Sequence, residues 1–198
     1  MPKFSRKTTL VAVFVIAIVA GYGIAAYWQG KNHIPASFTN ARSQGALIAQ
    51  AIVSTSNSST AQLAEIDQYD KEGNYSQALT LTQGLVSQSQ TLRGQAIDLS
   101  NQIATMTQSL SGVKNFTAQQ DALEAISSHL ALINELVNYS GDLGKLLDTL
   151  QARFKGQQGT TQEVTTLVTQ INTDINAINN FNNQASQAMA AFDKIEKN

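Results

Sequence analysis

The sequence predicts an all-α protein in which one transmembrane helix precedes an extracytoplasmic, up-down-up-down bundle of four long helices. Three observations lead to this prediction. Residues 10–28 form an uninterrupted apolar run without a charged side chain. No proline follows Pro35, so the residue that most often breaks helices is missing from the rest of the chain. Turn and capping residues divide that remainder into four segments of nearly equal length.

The apolar run 10–28 has the length of a membrane span. At about 1.5 Å per residue, a helix of this length covers roughly 28 Å, close to the hydrocarbon thickness of a bilayer. Tyr22, Tyr27 and Trp28 gather at its C-terminal end, where an interfacial aromatic belt would lie. Residues 1–9 contain three basic residues and no acidic one. The positive-inside bias therefore places this tail in the cytoplasm and the bundle outside the cell membrane.

A cleaved signal peptide is the alternative interpretation of the same run. Such a peptide has an apolar core of about 7–15 residues, followed by small residues at the cleavage site. Gly23 and Ala25 could supply those small residues. The run is longer than such a core and ends in aromatic side chains, which favours a retained signal-anchor. Residues 29–35 then form a linker, and residues 36–198 form the bundle.

Glycine-rich turns mark the predicted helix ends. Gly73 and Asn74 end the first helix, residues 112–116 separate the second from the third, and residues 156–159 end the third. The helices, numbered in chain order, are predicted at 36–72 (α1), 75–112 (α2), 117–154 (α3) and 160–197 (α4). Four equal helices with short turns favour a closed bundle. An open coiled coil would carry more Glu and Lys beside its apolar seam.

Two capping boxes are predicted, Thr117 with Gln120 and Thr160 with Glu163. In a capping box the threonine hydroxyl accepts a bond from the backbone N–H three residues later, and the Glu or Gln side chain at that position accepts a bond from the backbone N–H of the threonine.

Apolar side chains recur at helical spacing along each predicted helix. In α4 we expect the isoleucines at 171, 175 and 178 to face the other three helices, with the intervening amides in water. In α3 the predicted core positions are Leu123, Ile126, Leu130, Ile133, Val137, Leu143, Leu147, Leu150 and Phe154.

Motifs that carry chemistry do not occur in the sequence. The chain has no cysteine, which excludes disulfides, zinc-thiolate sites and cysteine nucleophiles. His129 is the only histidine of the predicted bundle, and the Glu-x-x-His pairs of di-iron bundles do not occur. No phosphate loop or nucleophile elbow is present, and the net charge of −1 comes without a basic stripe for nucleic acid. We therefore expect no enzymatic activity, metal, cofactor or nucleic-acid partner.

One level of the predicted bundle interrupts the apolar pattern. Fourteen residues from the membrane-distal end, the four helices place Ser58, Ser89, Ser140 and Asp174 at one height, roughly 21 Å from that end. A pocket for a polar ligand is one interpretation of this level. The other is a local irregularity that holds a few buried waters.

The predicted function is that of a single-pass, membrane-anchored helical bundle acting as a non-enzymatic scaffold or protein-interaction module. Residues 10–28 would contact lipid, and the bundle would bind a protein partner or assemble as a homo-oligomer. A sensory ligand-binding bundle is the alternative, because the region after the linker resembles the extracytoplasmic domains of chemoreceptors in length and four-helix layout. Such domains return through a second span, which the sequence lacks, so a signal would have to pass through a partner.

Overall fold

The computed structural model describes residues 34–157 and 160–196. Its helices are α1 (Ala36–Lys71), α2 (Tyr75–Ser109), a short 3-10 turn (Leu110–Gly112), α3 (Phe116–Phe154) and α4 (Thr161–Glu196). Within the described ranges every element is helical, so the predicted all-α class with four long helices is confirmed.

Each helix packs against the next one in the chain, and α4 closes against α1, as in a four-helix bundle. The packing is most extensive between α3 and α4 and loosest between α4 and α1.

Two glycines close the α1–α2 and α3–α4 turns, because each adopts a left-handed conformation that a side chain would strain. Gly73 has φ 75° and Gly156 has φ 70°. After each glycine the chain turns back on the helix. The N–H of Asn74 donates to the carbonyl of Tyr69 at 2.8 Å, and the N–H of Gln157 donates to the carbonyl of Ala152 at 2.8 Å. These bonds satisfy carbonyls that a helix end leaves free.

The predicted capping box at the start of α4 is confirmed. The N–H of Thr160 donates to Oε2 of Glu163 at 2.8 Å, and the N–H of Glu163 donates to Oγ1 of Thr160 at 3.2 Å. The box predicted for α3 is wrong, because α3 begins one residue earlier than expected. Asn115 is its cap, and its Oδ1 accepts bonds from the N–H groups of Thr117 and Ala118.

The core runs the length of the bundle. The isoleucines of α4 at 171, 175 and 178 are all buried, as predicted. In α3, however, four predicted core residues are exposed: Phe154, Leu123, Leu130 and Val137. Three other predicted core residues of α3, Ile126, Leu143 and Leu150, are buried as expected. Between residues 118 and 139 the row that faces inward is a different one: Ala118, Ala122, Ala125, His129, Leu132, Leu136 and Tyr139.

A buried ion pair fastens the end that carries the Gly73 and Gly156 turns. Asp70 of α1 is buried, and its Oδ1 lies 2.7 Å from Nε of Arg153 of α3. Arg153 also donates to Oγ1 of Thr161 at 2.9 Å and to the hydroxyl of Tyr75 at 3.2 Å. One guanidinium therefore links all four helices. Burial raises the pKa of Asp70, and the charge of Arg153 opposes that rise.

At the opposite end, the start of α1 lies against the α2–α3 turn. A Cβ built on Gly112 would lie 2.5 Å from Cγ of Pro35, so only glycine fits there. This contact places Pro35, directly before α1, against the α2–α3 turn. None of the helices in the described residues is long and apolar enough to cross a membrane. The predicted span, residues 10–28, lies outside the described residues.

Candidate functional site

The polar level predicted from the sequence divides into separate parts in the structure. Ser89 is buried, and its Oγ donates to the carbonyl of Val86 at 2.8 Å. The same atom lies 3.5 Å from Oγ of the half-buried Ser140, so α2 and α3 do bring these two serines together. Residues 89 and 140 therefore lie level with one another in the antiparallel packing of α2 and α3.

Ser58 is exposed and does not join this pair. Its Oγ donates to the carbonyl of Thr55 at 2.7 Å and accepts a bond from Nε2 of Gln88 at 3.2 Å. The next residue, Ser59, is the one that faces the core, where its Oγ lies 2.9 Å from the hydroxyl of Tyr139. Both partners of this bond are buried, so the polar link across the core joins α1 to α3 through residues adjacent to the predicted ones.

Asp174 is only 2% exposed. Its Oδ1 accepts a bond from Nε2 of Gln170 at 3.2 Å, while Oδ2 is buried without a hydrogen-bond partner. Burial raises the pKa of Asp174 to about 6. The bond from Gln170 opposes this rise, and the negative charges of Asp142 and Glu135 add to it.

Asp174 lines a cleft of about 510 Å³ between α3 and α4, not a cavity at the bundle centre. Glu135, Asp142 and Lys145 line the same cleft, and Nζ of Lys145 lies 2.6 Å from Oδ1 of Asp142. Ser58, Ser89, Ser140 and Asp174 are therefore not gathered around one space. Ligand binding by these four residues stays a prediction.

A second cavity, of about 540 Å³, lies between α1 and α4. Residues of α1 and α4 form its walls, while Met106 of α2 and His129 of α3 also line it. His129 is 6% exposed, and its Nδ1 is buried without a hydrogen-bond partner. Burial lowers the pKa of His129, so the imidazole is neutral at pH 7. The sequence singled out His129 only as an isolated histidine, because the residues that share its cavity come from three other helices.

The outer surface of α3 carries a row of exposed apolar side chains at a spacing of seven residues. We call this the outer row: Phe116, 70% exposed; Leu123, 49%; Leu130, 49%; and Val137, 59%. Ile97 of α2 is 64% exposed. It lies eight residues after Ser89, which in the antiparallel register brings it level with residue 132 of α3. Val137, the last member of the row, also lines the cleft between α3 and α4, so the row follows the outward face of α3.

Groups of three or more His, Cys, Asp or Glu side chains that could hold a metal ion do not occur among residues 34–157 and 160–196. No protein-family model, curated protein or solved structure matches the chain. Function therefore has to be argued from the surfaces and cavities of the bundle itself.

Proposed function

We propose that the protein is a single-pass, membrane-anchored, non-enzymatic scaffold whose extracytoplasmic bundle pairs with a second copy through the outer row of α3. The observation that supports pairing most strongly is the row itself. Four large apolar side chains at 116, 123, 130 and 137 stand exposed at a strict spacing of seven. That spacing is what a helix needs to keep one seam facing a partner helix along its whole length.

The residues beside the row suit a second copy of the same surface. The positions four residues after each row member are Gln120, Ser127, Asn134 and Gly141, and none is charged. Two identical surfaces can therefore meet without like charges opposing one another at these positions. A partner chosen by charge would instead be expected to face Lys or Glu at such flanking positions.

The outer row supplies the apolar part of a dimer interface. Each of its four residues exposes on the order of 100 Å², so two copies would bury roughly 800 Å² from these side chains alone. The polar side chains between the row members would supply the remaining area of a specific interface, which buries roughly 1,000 Å² or more in total.

The proposed anchor decides how the two copies are arranged. If both anchors enter the same membrane from the same side, the two-fold axis runs along the membrane normal and the α3 helices run parallel. Each outer-row residue then faces its own counterpart in the second copy. Confinement to one membrane also raises the effective concentration of the copies, so modest affinity suffices for pairing.

A charge placed in the row tests the proposal. Leu130→Lys puts an ammonium opposite its counterpart at the centre of the interface, which should abolish pairing. Leu47→Lys is the matched control, because Leu47 is 60% exposed on α1, away from the row. Energy transfer between differently labelled full-length chains in lipid vesicles should fall to background for Leu130→Lys and stay unchanged for Leu47→Lys. Equal transfer in both variants, or none in the wild type, would contradict the proposal.

A further inference from the structure

The cavity between α1 and α4 differs from the rest of the core in the kind of side chains that it gathers. Met106 of α2, His129 of α3 and Met189 of α4 all line it. The whole chain has three methionines and two histidines. Two of the three methionines and the only histidine of the bundle thus meet in one cavity, although they come from three different helices.

His129 is built into this cavity as an unpartnered polar group. The side chain is 94% buried, and Nδ1 has neither solvent nor a hydrogen-bond partner. Buried polar atoms of this kind are rare, because the loss of hydration is not offset. Because Nδ1 is closed to solvent, Nε2 is the ring nitrogen through which His129 would reach a ligand in the cavity.

The two sulfurs select the class of that ligand. Met106 and Met189 are both buried, and a thioether is a soft, uncharged donor that binds Cu(I) far better than it binds Mg²⁺, Ca²⁺ or Zn²⁺. No carboxylate lines the cavity, so the oxygen donors required by the harder cations are missing. At the cavity mouth, Arg42 makes two bonds of 2.6 Å to the carboxylate of Asp193, so that acid is already neutralised.

We propose that Met106, His129 and Met189 form a binding site for a soft monovalent metal ion, Cu(I) or Ag(I). Two thioethers and one imidazole supply three uncharged ligands, a set typical of the low coordination numbers of these ions. Methionine has three rotatable side-chain bonds, which allow its sulfur to adjust to an ion bound in the cavity. The site is independent of the outer row and does not require the proposed dimer.

The direct test is a titration of the full-length protein in detergent with Cu(I), kept reduced and in competition with the chromophoric chelator bicinchoninate. One ion should bind per chain. Met106→Leu and Met189→Leu conserve volume, and each should weaken binding at least tenfold, as should His129→Phe. X-ray absorption at the copper edge should show sulfur and nitrogen neighbours in the wild type, and the sulfur contribution should fall in each leucine variant. That spectroscopic change would not follow from a merely structural role.

His33 is the second histidine of the chain and offers another imidazole. His33→Gln is therefore the control and should leave the affinity unchanged. Loss of binding in the control with retention in the cavity variants would overturn the proposal. So would wild-type binding weaker than that of free methionine and imidazole at matched concentrations. Far-UV circular dichroism of each variant separates lost binding from lost folding.

Discussion

Asp174→Asn should stabilise the bundle at neutral pH and not at acidic pH. Asp174 is almost fully buried, one of its oxygens has no partner, and its pKa rises from 3.8 to about 6. The charged and polar groups that face it are Glu135, Asp142 and Lys145 from α3 and Gln170 from its own helix. Asparagine keeps the shape and the bond from Gln170 but cannot ionise.

The size of the expected gain in stability follows from the shift in the pKa of Asp174. A folded-state pKa above the unfolded value means that the native protein holds this proton more tightly. The corresponding stability is fully present below about pH 4 and is lost as the pH rises through about 6. At about 1.4 kcal/mol per unit the loss is at most roughly 3 kcal/mol. The cleft is open on one side, so we expect about 1–3 kcal/mol at pH 7.5 and close to none at pH 4.

The difference in the free energy of unfolding between Asp174→Asn and the wild type is measured by urea unfolding of the full-length chain in detergent. Circular dichroism at 222 nm follows the unfolding at the two pH values. Asp148→Asn is the matched control, because Asp148 is exposed on α3 and should change stability little at either pH. A gain for Asp174→Asn that is equal at pH 4 and pH 7.5 would refute the reasoning. A loss of stability at pH 7.5 would refute it as well.

Three further substitutions test the packing. Gly141→Ala should stabilise α3 by about 0.5–1 kcal/mol, because an added Cβ meets nothing within 4 Å; a loss measured by thermal unfolding would mean that α3 needs glycine there. Gly112→Ala should cost about 1–3 kcal/mol, since its Cβ would lie 2.5 Å from Pro35, and an unchanged melting temperature would contradict that contact. Arg153→Ala should cost about 3–5 kcal/mol at pH 7 by leaving Asp70 buried without its cation, and urea unfolding should show a smaller loss as the pH is lowered, because burial raises the pKa of Asp70 and protonation removes the unpaired charge.

The helix ends could be predicted from the sequence because their chemistry is local. Gly73 and Gly156 supply the left-handed conformation that closes a helix, and Thr160 with Glu163 supplies a complete cap. Each signal is contained within a few residues. No knowledge of the neighbouring helices is needed to interpret it.

The inward-facing row of α3 could not be predicted in the same way, because this helix has two apolar faces. The outer row, with Leu130 at its centre, is as hydrophobic as the inner row that contains Leu132 and Leu136. Periodicity alone cannot decide which row meets the other helices. That choice depends on the fit of small side chains such as Ala122 and Ala125 against α2 and α4, which is a property of the whole bundle.

On α1 the residue of the polar stretch that faces the core is the neighbour of the one that the sequence indicates. Residues 55–60 read TSNSST, a stretch without an apolar side chain to fix the helical phase. The sequence selected Ser58, whereas Ser59 faces Tyr139 in the core. An error of one residue turns a side chain by about 100° on a helix, enough to move it from core to solvent.

The most direct test of the proposed scaffold is a cysteine scan along α3 in the native membrane. The chain contains no cysteine, so each single-cysteine variant from position 116 to 137 reports on one place alone. Mild oxidation should give disulfide-linked dimers that peak at 116, 123, 130 and 137 and fall to background between these positions. This pattern of four peaks seven residues apart is what parallel pairing through the outer row predicts. Uniform crosslinking along the helix, peaks at other positions or no dimer at Leu130→Cys would contradict it.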